Sequence, residues 1–274
     1  MKMPYSMKPG PTMLDLAASQ RLFDPDSLKA NVIALRVDVR ENSVEQATHK
    51  HRKGQLVLAE RGSVTCHIER GLWMVPPDCG VWIPGGMEHS NRVSVNGRIS
   101  LLFVEPGAAR LPEQCCTLSI SPLLRELVVY LAAQPQDYSE NGPTGRVACV
   151  LLEQLVTMPE EELYLPMPTN SRLTKIAKEL IKDPSNRNTV GEWARQVAMS
   201  ERTLARLAIA ETGMTFGRWR RQLHIILALQ KLSAGQPVQR VAELLGYDSV
   251  SAFITMFRNA LGKTPGSYMR KPDH

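Results

Sequence analysis

The chain has no apolar run long enough to cross a bilayer. Its most apolar stretch, Ile99-Ser-Leu-Leu-Phe-Val104, has the length of a strand, and Met1-Lys2-Met3-Pro4-Tyr5 is followed by no apolar segment of the secretory kind. A cytoplasmic protein without membrane partners is expected. Cysteines are few and lack metal-ligand spacing: Cys66, Cys79, Cys115, Cys116 and Cys149 are odd in number, and the vicinal Cys115-Cys116 is not a C-x-x-C. That pattern speaks against a disulfide framework and a thiolate zinc site, and leaves reduced, partly buried thiols or a redox switch, the former favoured. Acidic residues are scarce in one part only. Residues 168 to 274 hold 17 Lys+Arg against 8 Asp+Glu, whereas residues 1 to 167 hold 16 against 19, so the net charge of +6 conceals a basic C-terminal third. Such a surface attracts a polyanion through counterion release, whatever its sequence.

The basic third is also repetitive. Ser200, Leu204, Ala208, Gly213 and Thr215 return as Ser249, Phe253, Phe257, Gly262 and Thr264, all at an offset of 49, while Ala194-x2-Val197-Ala198-Met199 returns as Ala242-x2-Leu245-Gly246-Tyr247 at an offset of 48. The slip of one residue falls in a tight turn. Each copy reads as helix, turn, helix, over 189–209 and 238–259, and a tandem pair of such units points to double-stranded DNA. In the first copy Ser200 caps a helix whose Leu204, Leu207 and Ala208 turn inward, leaving Glu201, Arg202, Thr203, Ala205 and Arg206 outside. Arg202 and Arg206 stand one turn apart and suit bidentate contacts to guanine. In the second copy Ser249 is the cap, and the outer face is Val250, Ser251, Ala252, Thr255 and Arg258, better suited to phosphate and methyl contacts. Phe216 to Leu232 reads as one long helix between the copies. Arg218, Arg220 and Arg221 on its polar side are either a solvated face or phosphate contacts.

Earlier in the chain the pattern alternates. Val32–Val39, Gln55–Glu60, Ser63–Glu69, Leu72–Val75, Gly80–Ile83 and Arg98–Val104 are short strands separated by Arg61-Gly62, Arg70-Gly71, Pro76-Pro77-Asp78, Pro84-Gly85-Gly86 and Asn96-Gly97. Strands and turns at that spacing predict an antiparallel barrel or sandwich. From Ser121 two amphipathic helices follow, one from Pro122 and one over Pro143 to Met158. They form a hairpin that serves either as a dimerisation face or as a cover for the barrel. The expected organisation is a barrel over 1–118, the hairpin over 119–158, a proline-punctuated linker over 159–168 and an all-α domain over 169–274, two domains and α+β overall.

The run Ala242-x2-Leu245-Gly246-Tyr247-x-Ser249-x-Ser251-x-Phe253-x3-Phe257-Arg258-x3-Gly262-x-Thr264-Pro265-x2-Tyr268 resembles the signature of the AraC/XylS family of bacterial transcription regulators. The resemblance spans about Ser171 to Arg270. Met269 departs from it, standing where the family usually has a basic residue, with Arg270 next to it. In the N-terminal part His49-x-His51-x3-Gln55-x6-Gly62 and Pro84-x-Gly86-x2-His89 resemble the two cupin motifs, in which the residues matching the three histidines are metal ligands and Gln55 stands at the position of a glutamate. Two imidazoles at i and i+2 with a third from a facing strand can close a coordination sphere. Three readings stay open for His49, His51, Gln55 and His89: a divalent-metal site, a small-molecule effector pocket with Trp73 and Trp82 among its walls, or a satisfied polar cluster. The resemblance implies a non-enzymatic regulator, without an obligatory cofactor, that acts as a homodimer on an operator and engages RNA polymerase if it activates. It also implies control of nearby transport or metabolic genes. The rival is a metal-dependent cupin enzyme fused to a DNA-binding module.

Overall fold

Alternation of large apolar residues builds the first sheet of the computed structural model, which describes residues 23–39, 46–62, 64–68, 71–75, 78–94, 97–161 and 164–269. The turns expected at Arg70-Gly71, Pro76-Pro77-Asp78 and Asn96-Gly97 lie partly outside these residues, as does Arg270 wholly. Contact between Cα atoms divides the chain into two units, one of Met1–Cys66 with Val75–Glu162 and one of His67–Met74 with Leu163–His274.

In the first unit β1 (Val32–Asp38), β2 (Gly54–Arg61), β5 (Cys79–Ile83), β7 (Arg98–Val104), β8 (Cys116–Ser119) and β9 (Glu160–Glu161) form one antiparallel sheet in the order β1-β7-β2-β5-β8-β9. β3 (Val64–Ile68) and β6 (His89–Val93) are neighbours in a second sheet. The closed barrel expected from the alternation does not form. The six-stranded sheet ends at β1 and at a two-residue strand of exposed glutamates, which offers no template for further pairing.

The register explains the two faces of this sheet. Leu56 lies opposite Trp82 and Leu102, and Ala34 opposite Leu102. These residues join Leu124, Val128 and Leu131 of α1 (Pro122–Ala132) and Ala148, Leu151 and Leu155 of α2 (Pro143–Val156) in one buried core. Each fully buried Leu contributes about 1.5–3 kcal/mol. Ser121 starts α1 by accepting from the Leu124 N–H at 3.2 Å, with Pro122 in the first turn. The alternate residues Leu35, Gln55, Leu101 and Phe103 face the other way, into a cavity.

In the second unit β10 (Tyr164–Pro166) pairs antiparallel with β4 (Gly71–Val75), Leu165 opposite Leu72. Six helices follow: α3 (Ser171–Lys182), α4 (Val190–Gln196), α5 (Glu201–Thr212), α6 (Phe216–Ser233), α7 (Val238–Leu244) and α8 (Val250–Leu261), with a last turn, α9 (Pro265–Tyr268). The stretch read as a linker is therefore no free tether. Leu165 is fully buried, Trp73 stacks on Tyr164 at 4.7 Å between ring centroids, and the Trp219 indole N–H donates to the Pro166 carbonyl at 2.7 Å. Trp193, Leu204, Phe253 and Phe257 centre the helical core.

Candidate nucleic-acid interface and ligand cavity

The 49-residue repeat is reproduced cap by cap. Ser200 accepts from the Thr203 N–H and Ser249 from the Ala252 N–H, both at 3.1 Å. Gly213 and Gly262 close α5 and α8 in the left-handed region, at φ 68 and 72. Thr215 and Thr264 then cap α6 and α9. The turns before the caps match at the offset of 48: Ala198 has φ 52 and Gly246 φ 75. Asp248 is the extra residue.

These caps fix which side of each helix is free. Leu204 and Ala208 are buried, while Glu201, Arg202, Thr203 and Arg206 are exposed and Ala205 is half-exposed. Among the described residues neither Arg202 nor Arg206 pairs with a carboxylate, so both forks stay available. On α8 Phe253 and Phe257 point inward, Ser251, Ala252, Thr255 and Arg258 are exposed, and Val250 is half-buried. Thr189 and Glu192 cap α4 reciprocally, and this hydrogen bonding holds the Glu192 carboxyl below its usual range. Glu211 on α5 accepts from the backbone N–H groups of Thr169 and Asn170, tying the start of α3 to α5.

In the first unit the three histidines and Gln55 come together. His49 and His89 exchange backbone hydrogen bonds at 2.9 Å, which sets His49 across from the β6 edge, and the ring centroids of His49 and His51 lie 4.4 and 5.0 Å from that of His89. The glycine-rich turn is pressed against the same segment: Gly86 N–H donates to the His51 carbonyl, and a Cβ on Gly85 would fall 1.9 Å from the Arg52 carbonyl oxygen. The adjoining cavity measures about 330 Å³ and is lined by His49, His51 and Gln55 together with Asp26, Gln46, Lys50 and Phe103. Trp73 and Trp82 do not join it. Trp73 stacks on Tyr164 within the second unit, and Trp82 faces the helical hairpin with its indole N–H on the Pro112 carbonyl.

The backbone sets the orientation and tautomer of the rings. His49 Nδ1–H donates to the Ala47 carbonyl at 2.9 Å, His51 to Lys53 at 2.5 Å and His89 to Met87 at 2.9 Å. A carbonyl can only accept, so each ring carries a proton at Nδ1, and in the neutral form Nε2 presents its lone pair. Burial pushes His49 below its usual value, and it brings His89 down to about 4, opposed by the Met87 hydrogen bond and reinforced by the neighbouring rings. The Gln55 Oε1 lies 2.9 Å from His51 Nε2 and 3.3 Å from His89 Nε2, and the buried Gln55 Nε2 has no partner. With the carbonyl inward, acceptors face acceptors. With the amide inward, the carbonyl takes the orphaned place. A divalent cation satisfies the imidazoles and the carbonyl together, and the three histidines alone bring one ligand atom each to within 4.8 Å of one another. The donor set fits such an ion.

Reasoning from sequence missed Gln46 and Asn91, a buried amide pair in which Asn91 Nδ2 donates to Gln46 Oε1 at 3.0 Å, because neither belongs to an apolar pattern. It also missed Lys53, which is buried with its ammonium on the Ala30 carbonyl and on Glu105.

Comparison with known proteins agrees with both halves of this geometry. Residues 193–271 match a model described as a helix-turn-helix domain, and residues 30–130 match an AraC-like ligand binding domain. The chain is 45% identical over 249 residues, covering 91% of each protein, to the HTH-type transcriptional regulator NimR of Escherichia coli. It is 32% identical over 104 residues, 38% of this chain and 30% of the relative, to the HTH-type transcriptional regulator RipA of Corynebacterium diphtheriae. Apo ToxT from Vibrio cholerae overlaps 88% of this chain and 97% of its own at 11% identity and a TM-score of 0.36, too distant to bear on fold or ligand. The protein is thus a DNA-binding transcription regulator with an N-terminal ligand-binding part. It belongs to the AraC family of helix-turn-helix transcriptional regulators.

Proposed function

We propose that the protein reads two successive major grooves of an operator through α5 and α8, acting as two helix-turn-helix units, under the control of a ligand in the His49, His51, Gln55 and His89 cavity. The observation that carries this reading is the pair of exposed guanidinium groups of Arg202 and Arg206 on the Ser200-capped helix, which pair with no carboxylate among the described residues. The 18 residues of α6 make a strut of about 27 Å, which suits two reading heads one turn of B-DNA apart, about 34 Å. Ser200 and Ser249 set the entry of each helix. Glu201, Thr203 and Ala205 flank the two arginines, while Val250, Ser251, Ala252, Thr255 and Arg258 supply the lighter contacts of the second head. The reading predicts that Arg202→Ala or Arg206→Ala loses about 1–3 kcal/mol at a specific site and relaxes one base position. Equilibrium binding to the preferred site and to random duplex checks it, because an equal loss on both would make these arginines non-specific contacts.

The cavity takes a divalent cation, alone or with a small effector bound to it. Imidazole Nε2 atoms of His49, His51 and His89 hold the ion and Gln55 adds a neutral carbonyl, which weakens retention and makes occupancy responsive to supply. An ion there would polarise a bound ligand, but Gln55 contributes no base for chemistry. Thermal unfolding with added zinc or manganese should shift upward in the full chain, more so in Gln55→Glu, and not at all in His89→Ala. A shift that survives His89→Ala would place the ion elsewhere.

Ligand binding alters DNA affinity by differential binding to two states of the regulator. The active form is a homodimer. Leu123 and Tyr130 on α1 and Val150 and Val156 on α2 are large apolar side chains left 43–53% exposed, and a second copy of this hairpin would cover them. RNA polymerase is the further partner if transcription is activated, and nearby transport or metabolic genes are the targets.

A further inference from the structure

Beside α8 lies a second cavity, of about 280 Å³, whose lining includes Arg187, Gly217, Arg220, Arg221, Tyr247 and Ala252. Ala252 belongs to the exposed face of α8, so this cavity adjoins the surface that the reading above assigns to DNA. Three guanidinium groups meet there with one carboxylate. Asp248 is engaged by Arg187 at 2.7 Å, and Arg187 also donates to the Gly246 carbonyl. Arg220 is half-buried and fixed by the carbonyls of Asn186 and Asn188. Among the described residues no carboxylate pairs with Arg220 or with the exposed Arg221. Carbonyls hold Arg220 in place but do not cancel its charge, and a cation drawn partly out of water without a counter-charge is a standing cost that an arriving anion offsets. Planar, pre-oriented guanidinium forks match the oxygens of a phosphate.

We propose that Arg220 and Arg221, with Arg187 behind them, receive a backbone phosphate of duplex DNA beside the second reading helix. The inference rests on the reading of α5 and α8 as DNA-facing. It gives the weakly equipped second head its own source of affinity: the phosphate seat sets the register of α8, whose small side chains then need only follow the groove.

The test is the salt dependence of binding by the full-length protein to a random-sequence duplex. Arg221 is exposed, and unchanged thermal unfolding confirms that its replacement leaves the packing intact. Arg221→Ala should weaken binding severalfold at moderate salt and reduce the slope of log K against log salt by about 0.9, the signature of one lost phosphate contact. Arg221→Lys keeps the charge and should retain the slope, and Lys29→Ala, in the other unit, should leave it unaltered. An unchanged slope in Arg221→Ala beside a steep wild-type slope overturns the phosphate seat and leaves the reading of α5 and α8 standing. If the wild-type protein binds no duplex even at low salt, both fall together.

Discussion

His224 illustrates how single side chains are set by their neighbours. It is buried on α6, its Nε2–H donates to the Pro184 carbonyl at 3.0 Å, and its Nδ1 accepts from the Tyr247 hydroxyl at 3.1 Å. Burial, reinforced by the nearby Arg220 charge, brings its pKa from 6.5 to about 4. Between those values the unfolded chain binds a proton that the folded chain refuses. The neutral ring therefore contributes stability that is present above pH 6.5 and is lost as pH falls toward 4, on the order of 3 kcal/mol. Denaturant titrations across this window should show stability falling with pH, and His224→Gln should flatten the dependence without abolishing it, since His49 and His89 shift in the same direction. A slope identical in His224→Gln and wild type would contradict this placement of the ring. Arg202 and Arg206 are the opposite case: among the described residues no carboxylate pairs with either, and the proposed function gives both to DNA.

At the scale of elements the tight turns before α5 and α8 give the sharpest contrast. Ala198 adopts a left-handed conformation that costs a non-glycine residue about 1–2 kcal/mol, partly offset by the extra chain entropy a glycine would lose, about 0.5–1 kcal/mol. Ala198→Gly should therefore be neutral or stabilising by up to about 1 kcal/mol. Gly246 has the same conformation, but a Cβ there would lie 2.8 Å from the Ser185 backbone, so Gly246→Ala should destabilise by about 1–3 kcal/mol. Urea unfolding separates the two, and a stabilising Gly246→Ala would refute the equivalence of the turns. The repeat was legible because caps and left-handed positions are local chemistry that Ser, Thr and Gly advertise at fixed spacing. β6 was not, because its buried residues His89, Ser90 and Asn91 are polar, so the apolar alternation that marks a strand is missing. β10 was missed because three residues are too short for a period to show, and Leu165 in particular owes its burial to Leu72, which is remote in sequence. His49, His51, Gln55 and His89 were legible as a set through motif spacing. The two tryptophans were misassigned to their company because aromatic type does not reveal which side of a sheet a residue takes.

For the whole molecule charge is divided along the chain. The surplus of basic residues sits in residues 168–274, with α5 and α8, and the near-neutral residues 1–167 carry the imidazole cluster; the proposed function assigns attraction to DNA to the former and response to a ligand to the latter. The central claim is that the two heads are unequal readers held one DNA turn apart. Selection of binding sites by the full-length protein from a pool of random duplexes tests it most directly. The account predicts two enriched blocks about 10–10.5 base pairs apart, the stronger one losing information at a guanine in Arg202→Ala while the weaker one is unaffected. A single enriched block, or loss spread equally over both blocks in Arg202→Ala, would contradict it.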